Sequence, residues 1–417
     1  MLADFVIQNV SEVLTCAGPA PRSGAAQGDA RSIRQGALAA DRGRIVFVGF
    51  ESLLCHEVEL RPGATVIDAK GGSVVPGFVD PHTHAVYAGD RRDELRRRLA
   101  GASYAQLASE GGGILSTVVA TRAASDSVLR SEMRARLDEM LRCGTTTCEV
   151  KSGYGLSTDA ELKMLRAIAD VACQHAMEVS PTFLGAHDVP PEFRHRRDAY
   201  ISAIVDDMLP AVMSERLAEW CDVFCEAGVF TVEESRQILE AAREVGLKLR
   251  MHADELAMSG GAQLAAALRV RSADHLVFVD EEGARALAEA GVVATLLPCA
   301  SFYLKLGRCA PARLLIANDV PVALATDVNP GGGFSPSMPF AMALACFQMG
   351  LTFEEALVGA TINGAYALDR HGRIGSLEPG KQLDAVIVDG PAIDLLRVGG
   401  EAVRTVIKKG TVVHARR

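Results

Sequence analysis

The chain has 417 residues, 49% hydrophobic and 23% charged, with 39 Gly and 17 Pro, which excludes a disordered, collagen-like or low-complexity protein. Its 43 Lys and Arg against 52 Asp and Glu give a net charge of −9, the wrong sign for a nucleic-acid footprint. The length suits two or three domains, or one large α/β barrel with an appendage.

Residues 1–75 read as short strands joined by turns. The first ten carry Asp4 and no basic region, so no signal peptide is expected. Phe5–Val10 alternates, and Asp41-Arg42-Gly43 sits like a hairpin turn between Ala37–Ala39 and Ile45–Val48. Residues 16–35, rich in Gly, Pro, Ala, Ser and Arg, read as a surface loop. The other end, residues 372–417, again gives strands: Asp384–Val388, Val403–Lys408 and Thr411–His414. We therefore expect a small β-sandwich-like domain built from 1–76 and 372–417, flanking a middle domain of 77–371.

The middle alternates apolar runs with helical patterns. The runs are Gly77–Val86, Thr146–Lys151, Val179–His187, Asp222–Glu226, Lys248–His252, Ala273–Val279, Val293–Pro298 and Val322–Asp327. Leu129, Met133, Leu137 and Leu141 keep helical spacing, with Gly144 as a stop. Thr158-x-x-Glu161, Thr231-x-x-Glu234 and Thr352-x-x-Glu355 each match a capping box. Eight β–α alternations predict an α/β fold, a (β/α)₈ TIM barrel; the pattern alone also fits a doubly wound open sheet. Residues 87–125 read equally as a long loop over the barrel mouth or as a flexible surface connection. Within it Arg91, Arg92, Arg96, Arg97 and Arg98, interrupted by Asp93 and Glu94, predict a solvated helix face.

No apolar stretch nears the ~18 residues of a membrane span. The ten Cys show no framework; Cys221 and Cys225, the only close pair, fall on a predicted strand. Reduced thiols in a cytoplasmic chain are expected. Gly375-x-x-x-x-Gly380-Lys381 imitates a phosphate loop, but Gln382 stands where Ser or Thr is needed and a strand follows.

Of ten His, five end predicted strands: His82, His84, His187, His252 and His275. The others (His56, His175, His195, His371 and His414) read as surface residues. Strand ends of a barrel converge on one mouth, where active sites lie. In extended backbone, residues i and i+2 point the same way, so His82 and His84 can reach one ion. His252 ends the fifth run, His275 follows Ala273-Asp274 in the sixth, and Asp327 ends the eighth. Imidazoles with a carboxylate suit Zn²⁺ or Fe, and an open position makes such a site catalytic.

Val75-Pro76-Gly77-Phe78-Val79-Asp80-Pro81-His82-Thr83-His84 resembles the first-strand signature of the amidohydrolase superfamily. Ala88–Arg91, Glu149–Leu156, Thr182–His187, His252–Glu255, Ser272–Leu276 and Ser337–Pro339 resemble, within it, the imidazolonepropionase family. The resemblance runs from about residue 37 to about 390. It implies one Zn²⁺ or Fe ion per chain, held by His82, His84, His252 and Asp327. It implies that His275, Asp327 and Glu255 serve proton transfer. Arg91, Tyr154, His187, Glu255, Asn329, Gly331 and Gly332 would line the substrate pocket, with Arg91 on a carboxylate. The implied reaction is hydrolytic ring opening of 4-imidazolone-5-propanoate to N-formimidoyl-L-glutamate, by a homodimer acting on a small molecule and not on nucleic acid or membrane. Lys151 lies on the second run, not where the superfamily's carbamylated lysine belongs, so one ion is expected. Asp274 could orient His275 only if the two face the same way. Gly331-Gly332-Gly333 departs from the family, which usually carries Ser or Thr after the first Gly; Gly332 is expected to meet substrate through its backbone alone, with three glycines free to reach positive φ, the alternative being a shifted loop in which the position no longer faces the pocket. Two rivals remain, a nucleobase aminohydrolase and a non-catalytic barrel.

Overall fold

The computed structural model describes residues 1–102, 106 and 110–416. Strands β1 (Leu2–Leu14), β2 (Ser32–Asp41), β3 (Arg44–Phe50), β4 (Glu59–Asp68) and β5 (Ser73–Pro76) come from the N-terminal end. The barrel strands are β6 (Phe78–Asp80), β7 (Thr145–Lys151), β8 (Glu178–Ala186), β9 (Trp220–Cys225), β10 (Lys248–Ala253), β11 (Ser272–His275), β12 (Val293–Leu296) and β13 (Val322–Leu324). Then β14 (Ala385–Val388), β15 (Val403–Lys408) and β16 (Thr411–Ala415) return to the terminal sheet.

That sheet runs β16-β15-β14-β5-β1-β2-β3, with β4 also on β1. Alternation in β1 explains its two faces. Phe5 and Ile7 pack with Leu38, Ile45 and Ile387, while Val6 packs with Ala37 and Phe47; Ala3 joins the latter group because the register is irregular between Ala3 and Phe5. Pro76 ends β5 in this sheet and Phe78 opens β6 in the barrel, so one residue, Gly77, separates the two. Its place is tight: a Cβ there would meet the Thr146 side chain at 2.5 Å.

The eight middle strands form a parallel sheet ordered β13 back to β6, each predicted run supplying one strand. The seam between β13 and β6 is closed just past their ends. Asp327 N donates to His82 O at 3.1 Å, and His84 N donates to Val328 O at 2.8 Å. This is a (β/α)₈ TIM barrel, not an open sheet. The helix over Asp126–Arg142 buries Leu129, Met133, Leu137 and Leu141 as their spacing requires, and Gly144 (φ 97°) turns the chain into β7.

Several expectations change. Residues 16–35 do not form a surface loop. Cys16, Arg22 and Gln27 are buried, and the Gln27 amide exchanges two 3.0 Å hydrogen bonds with the Val322 backbone, so the segment is anchored to β13; its end already belongs to β2. Residues 87–125 hold helices over Arg92–Leu99 and Ile114–Ala123, with 103–105 and 107–109 outside the described residues. Arg92, Arg96 and Arg97 are solvated, but Arg91 and Arg98 are buried. The His175 side chain is only 4% exposed and bonds Asp138, tying two helices together. Thr231 and Thr352 cap their helices with Glu234 and Glu355. The third box does not form: Ser157 is the N-cap and Glu161 turns elsewhere. All ten Cys are free thiols. No helix among the described residues is long and apolar enough to cross a membrane.

Candidate active site at the barrel mouth

His82 and His84 follow β6, His252 lies in β10, His275 ends β11, His187 follows β8 and Asp327 follows β13. His275 (φ 74°) and Asp327 (φ 54°) take left-handed backbone conformations, uncommon for residues other than Gly, as the chain leaves its strand.

Four donor atoms converge. His84 Nε2 lies 3.4 Å from His252 Nε2 and 3.6 Å from Asp327 Oδ1, and His82 Nε2 lies 3.7 Å from the same oxygen. His82 Nε2 and Asp327 Oδ1 are buried and make no hydrogen bond among the described residues. Groups that could hold a metal ion include His82–His84–Asp327, His84–His187–His252 and His82–His252–His275. Burial holds His82, His84 and His275 well below the usual histidine range, so these rings are neutral; His187 is pushed down to about 3 for the same reason.

Beneath the rings lies a fully buried charged layer. His82 Nδ1 donates to Asp274 Oδ2 at 2.6 Å, and His252 Nδ1 stands 3.1 Å from Asp222 Oδ2. Lys151 Nζ donates to Glu149 and Asp222, both at 2.6 Å. Arg250 reaches Asp274 at 3.3 Å and the Pro81 carbonyl at 2.6 Å. Lys151 is thus an ion-paired ammonium, its pKa raised by Asp222 and Glu149 against the opposing effect of burial. Asp274 serves His82, not its neighbour His275, whose Nδ1 instead faces Glu255 Oε1 at 3.5 Å.

Every predicted site residue except His82 lines one cavity, with Ile114, Phe224, Leu256 and Leu304 completing the wall. A larger hollow, between residues 335–340 and 395–403, holds none of them. Glu255 is fixed by its own N–H, which donates to Glu226 Oε2 at 2.9 Å. Burial first, then Asp327, raises its carboxyl well above the usual range. Arg91 Nε donates to Glu94 Oε2 at 2.8 Å. His187 Nδ1 donates to Gly153 O at 2.9 Å, and its ring stacks on His84 at 4.9 Å.

The 329–333 loop organises itself. Asn329 Oδ1 accepts from Gly331 N (2.8 Å) and Gly332 N (2.6 Å), and its Nδ2 donates to Asp327 O (2.8 Å). Arg98 grips Gly331 O through two 3.1 Å bonds. None of the three glycines has positive φ, contrary to expectation. Their smallness serves contact instead. A Cβ on Gly331 would enter the Arg91 guanidinium at 2.3 Å, and one on Gly333 would sit 1.5 Å from Asp327 O.

Sequence reading missed the pairing of Asp222, Asp274, Lys151 and Arg250 beneath the rings. For two of them a signal was present: Lys151 lies two residues after Glu149 and Arg250 two before His252, so each shares a strand face with a charged group or a predicted ligand, whereas Asp222 and Asp274 have no such neighbour.

Imidazoles and a carboxylate gathered at the mouth of such a barrel define a metal-dependent hydrolase. The sequence pattern of the amidohydrolase family matches residues 73–413, so the chain belongs to that family. Imidazolonepropionase of Symbiobacterium thermophilum is 50% identical over 98% of this chain and 97% of its own length. That of Phocaeicola vulgatus is 46% identical over the whole of both. Within the family the chain therefore falls among the imidazolonepropionases. Among solved structures, guanine deaminase of E. coli (TM-score 0.74, 17% identity, 99% of this chain and 100% of that one) and a zinc-bound adenosine deaminase of Xanthomonas campestris (0.72, 18%, 99% and 93%) share the fold.

Proposed function

We propose that this chain hydrolyses 4-imidazolone-5-propanoate to N-formimidoyl-L-glutamate, with one Zn²⁺ or Fe ion held by His82, His84, His252 and Asp327. The carrying observation is the set of contacts of 3.4–3.7 Å among three imidazole Nε2 atoms and Asp327 Oδ1. Donors on a tetrahedral ion at about 2.0–2.1 Å stand about 3.3–3.4 Å apart, so the residues fit the group. Because Asp274 can only accept, His82 keeps its proton on Nδ1 and presents a bare Nε2. A carboxylate oxygen facing bare imidazole nitrogens without a hydrogen is repulsive unless a cation joins them.

When bound, such an ion supplies Lewis acidity and lowers the pKa of a coordinated water toward ~7. The chain's residues do the rest. Arg91, with Nε already on Glu94, offers its terminal nitrogens to the propionate carboxylate as a planar pair. His187, neutral and donating from Nδ1, offers Nε2 as an acceptor. Glu255, whose carboxyl burial pushes up, hydrogen-bonds the ring nitrogens. Water oxygen bonds to the ring carbonyl carbon, the C–N bond breaks, and the departing nitrogen gains a proton. Asp327 and His275 are the groups beside the reacting carbon that take and return that proton. A neutral nucleobase would offer no carboxylate to the terminal nitrogens of Arg91, whose Nε alone is taken by Glu94, which disfavours the aminohydrolase reading.

The reading also takes residues 1–76 with 372–417 as one domain and 77–371 as the other, and places a homodimer in the cytoplasm; ten free thiols suit that reducing compartment. The test is incubation of purified protein with imidazolone propanoate, with product identified by mass spectrometry and metal counted by elemental analysis. N-formimidoyl-L-glutamate with one ion per chain is expected. No product, or full activity after exhaustive chelation, would refute it.

A further inference from the structure

Glu161 has the position of a helix cap and does not cap. It lies in the first turn of the helix over Thr158–Ala172, is fully buried, and points back into the preceding loop. Its Oε2 accepts from Gly153 N at 3.0 Å, and its Oε1 accepts from Gly155 N at 2.7 Å and Leu156 N at 2.8 Å. From the opposite side Arg122 binds the same loop's carbonyls, Gly155 O at 2.6 Å and Leu156 O at 2.9 Å. The loop therefore has its donors fixed by one carboxyl and its acceptors by one guanidinium.

What it carries is one wall of the cavity. Tyr154 stands between two of the held N–H groups, 5.2 Å from the His187 ring centre to centre. Gly153 O is the acceptor that sets the His187 tautomer. Gly153 (φ 103°) allows that approach, since a Cβ would come within 3.0 Å of His187 Nδ1. Gly155 lets Glu161 in, since a Cβ there would lie 2.8 Å from Oε1.

We infer that Glu161, braced by Arg122, is a positioning residue that fixes Tyr154 and His187 for substrate binding. It touches neither substrate nor metal and acts through the backbone of residues 153–156. The inference rests on the proposed function, because it takes Tyr154 and His187 to be substrate contacts. The donor count favours a carboxyl with two accepting oxygens: three N–H groups are shared over both of them, and the Ser152 side chain bonds there as well. Glu161→Gln keeps the shape but turns an NH₂ toward at least one of them, so one acceptor becomes a donor against a donor.

The experiment is steady-state kinetics of Glu161→Gln with imidazolone propanoate, alongside metal content and thermal melting. KM is expected to rise tenfold or more while kcat stays within threefold and metal content stays at the wild-type value, since uniform binding is lost. Glu355→Gln, a first-turn Glu of another helix that does cap, controls for a merely structural effect; it should lower the melting temperature and leave KM unchanged. If Glu161→Gln does not fold, Arg122→Met tests the same loop from its exposed side and should raise KM. An unchanged KM in the folded variant overturns the inference. Wild-type protein inactive on this substrate would instead overturn the proposed function. Wild-type activity, with KM moved by Tyr154→Phe or His187→Asn but not by Glu161→Gln, would overturn this inference alone.

Discussion

Gly331→Ala isolates the Arg91 contact without touching Arg91 itself. The added methyl would lie 2.3 Å from Nη1 and 2.4 Å from Cζ of Arg91. Ordinary contact needs about 3.5 Å, so guanidinium and loop must part by about 1 Å. Neither yields freely. Arg91 is held by Glu94, whose other oxygen accepts from Gly113 N at 3.0 Å. Gly331 is held through its N–H by Asn329 and through its carbonyl by Arg98. The backbone at 331 has no positive φ, so Ala brings no conformational strain of its own. A displaced guanidinium loses its aim on the carboxylate, a charged hydrogen-bonded contact worth about 1.5–3 kcal/mol. That corresponds to roughly a tenfold to hundredfold fall in kcat/KM, and an angstrom of misplacement supports the upper part of that range. The assay compares imidazolone propanoate with its neutral propionamide analogue, which has no carboxylate to lose. The deficit should appear with the first and shrink with the second, at unchanged metal content. An equal deficit with both, or kcat/KM within twofold of wild type with the first, would refute the role of Arg91.

Three further outcomes follow from the same geometry. Gly332→Ser should be tolerated, because its Cβ meets only the Leu304 side chain, at 3.3 Å, and the backbone has no positive φ; kcat/KM should change by no more than about tenfold, the worth of one neutral hydrogen bond, and a severe loss would mean the loop needs Gly. His275→Asn should keep metal content near wild type while kcat collapses; loss of the ion in that variant would make His275 a ligand, as its grouping with His82 and His252 permits. For pH, the buried His187 is lowered from 6.5 to about 3, so between these values the unfolded chain binds the extra proton. Metal-free protein should therefore melt at lower temperature as pH falls from 6.5 toward 3, and His187→Gln should flatten that slope; an unchanged slope would place the charged form in the folded state.

How much of this was legible depends on what fixes each feature. The barrel strands were legible because a strand buried on both faces must be a near-continuous apolar run, and eight such runs are spaced by helices. The strand-end histidines and Asp327 were legible because barrel topology carries strand-end residues to one mouth, whereas Arg91, Tyr154, Asn329, Gly331 and Gly332 were legible only through the family resemblance. Where a residue's partner is distant in sequence, reading failed. Residues 16–35 have the composition of a loop, and nothing local reveals that Gln27 matches the Val322 backbone, nearly 300 positions away. Glu161 has the spacing of a capping box, yet the bare N–H groups of the loop before it bind it instead. The arginine run has a solvated helix pattern, but Arg98 finds the Gly331 carbonyl across the mouth.

The buried charges beneath the rings make one physical argument with the site above them. An imidazole presents a lone pair at Nε2 only if its proton stays on Nδ1, and a carboxylate below secures this best. A carboxylate in a dry barrel interior is costly and tends to take up a proton, which would end its use as an acceptor. Lys151 and Arg250 oppose that protonation: the ammonium pairs with Asp222 and Glu149, and the guanidinium lies against Asp274. For Asp222 the two effects can be weighed, because its carboxyl is held well below the usual range despite full burial, with the His252 ring facing it at 3.1 Å and the Lys151 ammonium bound to it at 2.6 Å. Lys151 is thus needed at the barrel centre to keep ionised the carboxylate beneath His252, and Arg250 pairs with the one beneath His82. That requirement places Lys151 on β7 and Arg250 on β10, two positions before His252 on the same inward face, and it accounts for charged residues in strands that packing alone would have filled with Val or Ile.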